Sequence, residues 1–262
     1  MSSVCFIVAG MDKRKHLLER CISAFVSSKY SDMDIFCYYQ GSQWANVRGK
    51  EVFKDVVIDP NPRGVFTPRY ELMKRYAHNY DYTILIDDDL FIGPDTKYFD
   101  TIRFLESSAG KNVGACTTMN TKRFVRNEIR IVSTNDDINV SGGMVIRRAA
   151  ILDIIKYFSS KEADYTFDVF WILLYIKGWD LARDYRSFAE HRPVVKINGE
   201  HTGFNSSLVG MPYVPIMSEW IREPKMVFRH GRQERETPTL KDINAAGLAE
   251  RKMALECKSG IL

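Results

Sequence analysis

No stretch of this sequence approaches the roughly 20 uninterrupted apolar residues that a membrane-spanning helix needs, and the most apolar one, Phe167 to Ile176, has Asp168 inside it. A basic n-region is missing too: Met-Ser-Ser-Val-Cys-Phe-Ile-Val-Ala-Gly reads as a first strand rather than a signal peptide. Those two absences make a cytoplasmic protein the expectation. Cysteine is scarce and scattered, with no Cys-x-x-Cys pair among Cys5, Cys21, Cys37, Cys116 and Cys257, so neither a disulfide framework nor a zinc site is indicated. Four of the five sit in apolar periodic segments, where Cys acts as a small core residue. An excess of one charge is also lacking: the balance of +4 is mildly basic and falls short of a nucleic-acid-binding signature. Internal repeats and low-complexity tracts are absent.

What is present is an alternation of strands and helices in a chain long enough for one large α/β domain. Val4 to Ala9 is a continuous apolar run ending in Gly10, the pattern of a strand buried on both faces. Asp12 offers an N-cap, and Leu17, Leu18, Cys21, Ile22, Phe25 and Val26 recur at helical spacing, which predicts a helix over 13–28. Strands are expected at 34–39, 52–58, 82–86, 113–119 and 129–133, and a right-handed parallel crossover follows from the opening strand-helix-strand unit. Thr67 is a good cap for a helix to about Asn79, with Pro68 in its first helical position. Further helices are read at 97–107, 149–158 and 166–177, the last nearly apolar all round and stopped by Gly178. The pattern divides the chain into residues 1–222, with halves 1–92 and 93–222, and a charged extension over 223–262 whose stretch from Leu240 to Leu255 is helix-prone.

The chemistry concentrates where the strand Tyr82 to Ile86 runs without a spacer into Asp87-Asp88-Asp89. Carboxylates at the C-terminal tip of a strand stand where open α/β sheets bind ligands. Crowded like charges are costly unless a cation neutralises them, and oxygen-rich groups of this kind suit Mn2+ or Mg2+. A solvated turn is the plainer alternative, since Gly93-Pro94 follows closely.

Taken in order, these features resemble the GT-A glycosyltransferases, in particular the family-2-like group with an Asp-x-Asp motif at this position. The resemblance runs from Val4 to about Gly178. It rests on the opening strand and helix, on Asn61-Pro62-Arg63-Gly64 with the Arg69 helix, on the aspartates, and on Ser141-Gly142-Gly143 followed by Met144-Val145-Ile146. It implies a Rossmann-like α/β/α sandwich with a mainly parallel central sheet, and transfer of a sugar from a nucleoside-diphosphate sugar, UDP-linked above all, to a hydroxyl. Ala9, Gly10, Gln40, Arg63, Arg69, Asp87 and Asp88 would then bind the donor, while Ser141, Gly142 and Gly143 would line the sugar and acceptor pocket. Where the family usually has an acidic residue before Gly-Ser, this chain has Gln40-Gly41-Ser42. An amide can still hydrogen-bond a uracil edge.

The metal would be held by Asp87 and Asp89, with Asp88 behind them or against the donor. Many such enzymes add a downstream histidine, and the loop Asn198-Gly199-Glu200-His201 after the strand 194–197 makes His201 the candidate, with His191 and His230 as competitors. Asp168, in the first turn of the apolar helix, resembles the family's catalytic acidic residue and would act as base in an inverting reaction. The plainer alternative is that Asp168 only complements the helix dipole. A sugar-nucleotide nucleotidyltransferase is disfavoured because the loop after the first strand carries one glycine, and a non-catalytic carbohydrate-binding domain because three carboxylates are expensive to keep idle. The acceptor is open, whether a small molecule, a glycan, a protein or a hydroxymethylated base in phage-type DNA. For that last acceptor, basic residues at 222–235 and at Arg123, Arg126, Arg130, Arg147 and Arg148 would supply phosphate contacts.

Overall fold

The computed structural model describes residues 2–61, 66–119, 127–132, 143–158, 170, 173–174, 177–191, 196–197, 200–201, 226–229 and 232–235. Strand β1 (Val4–Met11) is followed by a 3-10 turn at Asp12–Arg14 and helix α1 (Lys15–Val26). Next come β2 (Asp34–Gln40), β3 (Asp55–Asp59), α2 (Phe66–Tyr76), β4 (Tyr82–Asp87), the short β5 (Leu90–Phe91), α3 (Tyr98–Glu106) and β6 (Val113–Met119). The chain continues through β7 (Ile129–Ile131), β8 (Met144–Arg147), α4 (Arg148–Phe158), β9 (Asp180–Phe188) and β10 (Glu190–His191). Two hairpins follow, β11 (Lys196–Ile197) with β12 (Glu200–His201) and β13 (Met226–Arg229) with β14 (Arg232–Arg235).

One eight-stranded sheet, in the order β3-β2-β1-β4-β8-β6-β9-β7, spans both halves of the chain. Its pairs β1–β2, β2–β3, β1–β4 and β6–β9 are parallel, and β8 runs antiparallel between β4 and β6. Both faces are covered, as the unbroken apolar run of β1 requires. Cys5 and Ile7 face a cluster with Leu72 and Met73 of α2 and Ile151 and Ile154 of α4. Phe6 and Val8 face the opposite cluster, with Leu17, Cys21 and Phe25 of α1 and Ile102 and Leu105 of α3. The period-2 alternation of β1 therefore divides its side chains between two helical layers, and the molecule is an α/β/α sandwich of the GT-A kind.

Local chemistry departs from the sequence pattern at several points. Asp12 caps no helix: its carboxylate accepts from the main-chain N–H groups of Ser42 and Gln43, at 3.0 and 3.1 Å, and so ties the end of β1 to the turn after β2. Thr67 lies inside α2, because the helix already includes Phe66. The expected third strand starts later, since Lys50–Val52 forms a 3-10 turn. Val26 ends α1 but faces solvent. The extension contains the β13–β14 hairpin, while its helix-prone stretch lies outside the described residues. Strand β9 has no clear counterpart in the sequence pattern, because Asp184 and Ser187 break its apolar alternation although both are fully buried. Gly178 does stop the preceding helical segment, at φ +90°, where Trp179 donates to the Leu174 carbonyl. The free cysteines Cys5, Cys21, Cys37 and Cys116 are buried core residues, as expected.

Candidate active site

Register alone assembles the site. In the parallel ladder Ala9 pairs with Asp87, Gly10 with Tyr39 and Met11 with Gln40, so the C-terminal ends of β1, β2 and β4 reach one sheet edge together. Ala9, Gly10, Gln40 and Asp87 therefore stand where the sequence places a donor site. Strand β8 opens with Met144 opposite Leu85, which brings Gly143 to the same edge from the antiparallel side. Gly143 is buried there: a Cβ on it would lie 1.9 Å from the Tyr98 hydroxyl oxygen, so packing by itself demands glycine. Gln40 is buried as well. Gly41 follows at φ +140°, with the Asp12 carboxyl group 2.1 Å from where its Cβ would be.

The three aspartates are unequal. Asp87 ends β4 with its side chain 30% exposed, whereas those of Asp88 and Asp89 are 6% and 7% exposed. All three are met by arginine. Arg69, on α2, pairs with Asp87. Arg14, on the turn after β1, has Nη2 2.7 Å from Asp88 Oδ1 and pairs also with Asp89. Burial pushes Asp88 up to about 8, an effect that Arg14 opposes and the neighbouring carboxylates reinforce. Burial works against the charge of Arg14, but Asp88 and Asp89 raise its pKa overall. Beneath the cluster the Cys21 thiol donates to the Asp87 carbonyl at 3.8 Å, and burial pushes that thiol's pKa well up.

Arg14 is the residue the sequence reading missed. Its signal lies in the run Lys13-Arg14-Lys15 directly after the first strand, at the ligand-binding end of a parallel sheet. Arg69, which the resemblance places among the donor-binding residues, here pairs with the Asp87 carboxylate. Arg147, counted with a basic surface, instead donates to the main-chain carbonyls of Leu105, Gly110 and Val113 at 2.5, 3.0 and 3.2 Å. Its guanidinium braces the turn between α3 and β6, so the structure removes it from the group proposed for phosphate contacts. His201 lies in β12, paired with Lys196, rather than in a loop. His191 pairs with Leu90 in the β5–β10 ladder, one residue beyond Asp89. Arg63, Ser141, Gly142 and Asp168 lie outside the described residues, as do Arg123, Arg126 and His230.

Among the described residues no three His, Cys, Asp or Glu side chains are grouped to hold a metal ion as they stand, and no helix is long and apolar enough to cross a membrane. The donor set nonetheless fits a dication. Asp87, Asp88 and Asp89 are met by Arg14 and Arg69, so the charges of the cluster come close to balance. A diphosphate bringing about two negative charges upsets that balance unless a dication comes with it.

No family model matches the sequence, and no curated protein does. Among solved structures, S. aureus TarS 1-349 in complex with UDP-GlcNAc is similar, with a TM-score of 0.55 at 12% identity over 76% of this chain and 60% of that one. The mannosyltransferase PcManGT from Pyrobaculum calidifontis, in complex with GDP-Man and Mn2+, is similar with a TM-score of 0.52 at 12% identity, over 76% of this chain and 58% of that one. The chain thus spans about three fifths of each. Another structure of S. aureus TarS is also similar, with a TM-score of 0.51 at 11% identity, over 69% of this chain and 35% of that one. What is shared at such identity is the fold.

Proposed function

We propose that this chain is a metal-dependent glycosyltransferase that moves a sugar from a nucleoside-diphosphate sugar to a hydroxyl acceptor with inversion. The observation that carries the reading is the meeting of Asp87, Asp88 and Asp89 with Arg14 and Arg69 at the C-terminal edge of the sheet. Support also comes from the GT-A fold, shared with one structure that holds UDP-GlcNAc and another that holds GDP-Man and Mn2+.

Asp87, the accessible carboxylate, and Asp89 would hold Mn2+ or Mg2+. Such an ion supplies charge stabilisation to the departing phosphate oxygen. His201 would be a further ligand, with His191 and His230 as the competitors; the ladder partner of His191 directly follows Asp89. The chain's own groups do the rest. Arg69 sits 9% exposed beside Asp87 and fixes the direction of that carboxylate. The Asp12 link across to Ser42 and Gln43 holds the ends of β1 and β2 at a set spacing, with Gln40 between them to meet the nucleobase. Asp168 would take the proton of the attacking hydroxyl. A hydroxymethylated base in DNA stands as one acceptor, supported by fewer arginines than the sequence suggested, and it predicts transfer that falls steeply with salt.

The test is incubation with a panel of nucleotide sugars and Mn2+, followed by assay of the free nucleotide. Release of nucleoside diphosphate, lost by at least about a hundredfold in Asp87→Ala, is the expected result. Release of pyrophosphate from nucleoside triphosphate would support a nucleotidyltransferase instead. Full turnover in Asp87→Ala would end the metal reading.

A further inference from the structure

Three arginine–carboxylate pairs in this protein are built differently. Arg186 reaches Asp184 with Nε and Nη2 at 2.9 Å each, one N–H to each carboxylate oxygen, and the Thr101 hydroxyl completes the set at 2.8 Å. Arg48 donates from Nε and Nη2 to one oxygen of Glu19, Oε2, at 2.9 and 2.7 Å. Both are directed pairs, the kind that locks a side chain in place. Arg14 is close enough to Asp88 and Asp89 to pair by charge, yet its Nε and Nη2 are buried without a hydrogen bond to any group. A guanidinium with two buried nitrogens left in this way is held to Asp88 and Asp89 chiefly by charge, and buried donors left unmade are costly. The turn that carries it, Asp12–Arg14, is a single 3-10 turn anchored at Asp12 by the Ser42 and Gln43 N–H groups, and neither it nor α1 has a side-chain cap at its start.

From this contrast we infer that Arg14 is an exchangeable internal counter-cation. It neutralises Asp88 and Asp89 while no dication is present. When a dication arrives it yields those carboxylates and turns its unused donors to the diphosphate of the donor. The inference rests on the metal-dependent reading above, and it adds a residue that competes with the ion first and serves the nucleotide afterwards. The charge that leaves the carboxylates is the charge that meets the phosphates, so the site avoids holding either set of anions uncompensated.

The two roles predict effects of opposite sign from one substitution. Mn2+ binding to the full chain, read by calorimetry without nucleotide, is expected to tighten by about tenfold or more in Arg14→Met, because the competing cation is gone. UDP binding at saturating Mn2+ is expected to weaken by about tenfold in the same variant. Arg14→Lys keeps the charge and should bind Mn2+ within about threefold of the parent protein. Should Arg14→Met fold poorly, its melting temperature with EDTA and with Mn2+ gives the same answer: the deficit against the parent closes when the ion is added. Arg186→Met, which breaks a directed pair, is expected to lower the melting temperature equally with and without Mn2+. Mn2+ affinity in Arg14→Met that is unchanged or weaker overturns the exchange. Tighter Mn2+ with unchanged UDP overturns the transfer to the diphosphate. Failure of both parent and variant to bind Mn2+ removes the metal reading itself.

Discussion

Replacing Arg147 by leucine separates two explanations of one basic residue. The guanidinium donates to three main-chain carbonyls, those of Leu105 at the end of α3, Gly110 in the following turn and Val113 at the start of β6. The Gly110 carbonyl keeps the Val113 N–H at 2.9 Å, so leucine deletes three bonds and costs most at the Leu105 and Val113 carbonyls. A net of about 1 kcal/mol for each bond, reduced because the side chain is half-buried, gives a loss of roughly 2–3 kcal/mol. For a chain of this length each kcal/mol moves the melting temperature by about 2–4 °C, so a fall of roughly 4–12 °C is expected by scanning calorimetry. Arg147→Lys should recover little, since a single ammonium cannot span three carbonyls as the planar fork does. Binding to duplex DNA, followed as a function of salt, should keep the parent's slope. A variant that melts within about 1 °C of the parent, or one whose salt slope drops by a full phosphate contact, would refute the bracing role.

Gly41→Ala is expected to cost about 2 kcal/mol or more in a denaturant titration, because φ +140° and the Asp12 carboxyl group both exclude a Cβ. Gly10→Ala, which meets only the movable end of Leu18 at 2.7 Å, should cost less than about 1 kcal/mol, and equal losses at the two sites would sink this account. Gly143→Ala forces a methyl onto the Tyr98 hydroxyl while that ring is wedged against Phe6 and Tyr30, so a loss of about 1–3 kcal/mol is expected and an unchanged melting temperature would contradict it. The backbone N–H and the hydroxyl of Ser3 hold the Asp81 carboxyl below the usual carboxylate range. A depressed folded-state pKa adds stability that is fully present above the ordinary value near 4 and is lost as pH falls through the folded value. Asp81→Asn should therefore flatten the acid limb of melting temperature against pH below about 5, and an identical acid limb would show that this group carries none of it.

Much of this protein is legible before any coordinates. Continuous apolar runs at β1 and β4 require burial on both faces, and helical spacing at Leu17, Cys21, Ile22 and Phe25 fixes which side of α1 turns inward. Three aspartates directly after a buried strand must fall at the sheet's ligand-binding edge, whatever the loops do. Strand β9 escaped because two of its buried positions are polar. Asp184 is tolerable there only through Arg186 and Thr101, and the Thr101 contact crosses 83 positions of sequence.

Partnership is the other thing sequence cannot supply. Asp12 reads as a helix cap and Arg147 as surface charge because local preference is all a linear chain displays. In the folded protein the first ties β1 to the turn after β2, and the second braces a turn whose carbonyls lie 34 to 42 positions away. Arg14 looks like one of several basic residues after a strand until the parallel register carries it to Asp88 and Asp89. Residue order alone thus determined the layers, the sheet's hydrophobic faces and the edge where acid groups collect, since these follow from periodicity. Which cation meets which carboxylate was decided only by tertiary structure, because a charge's partner depends on distance through space, and that distance is set by the packing of segments remote in the chain.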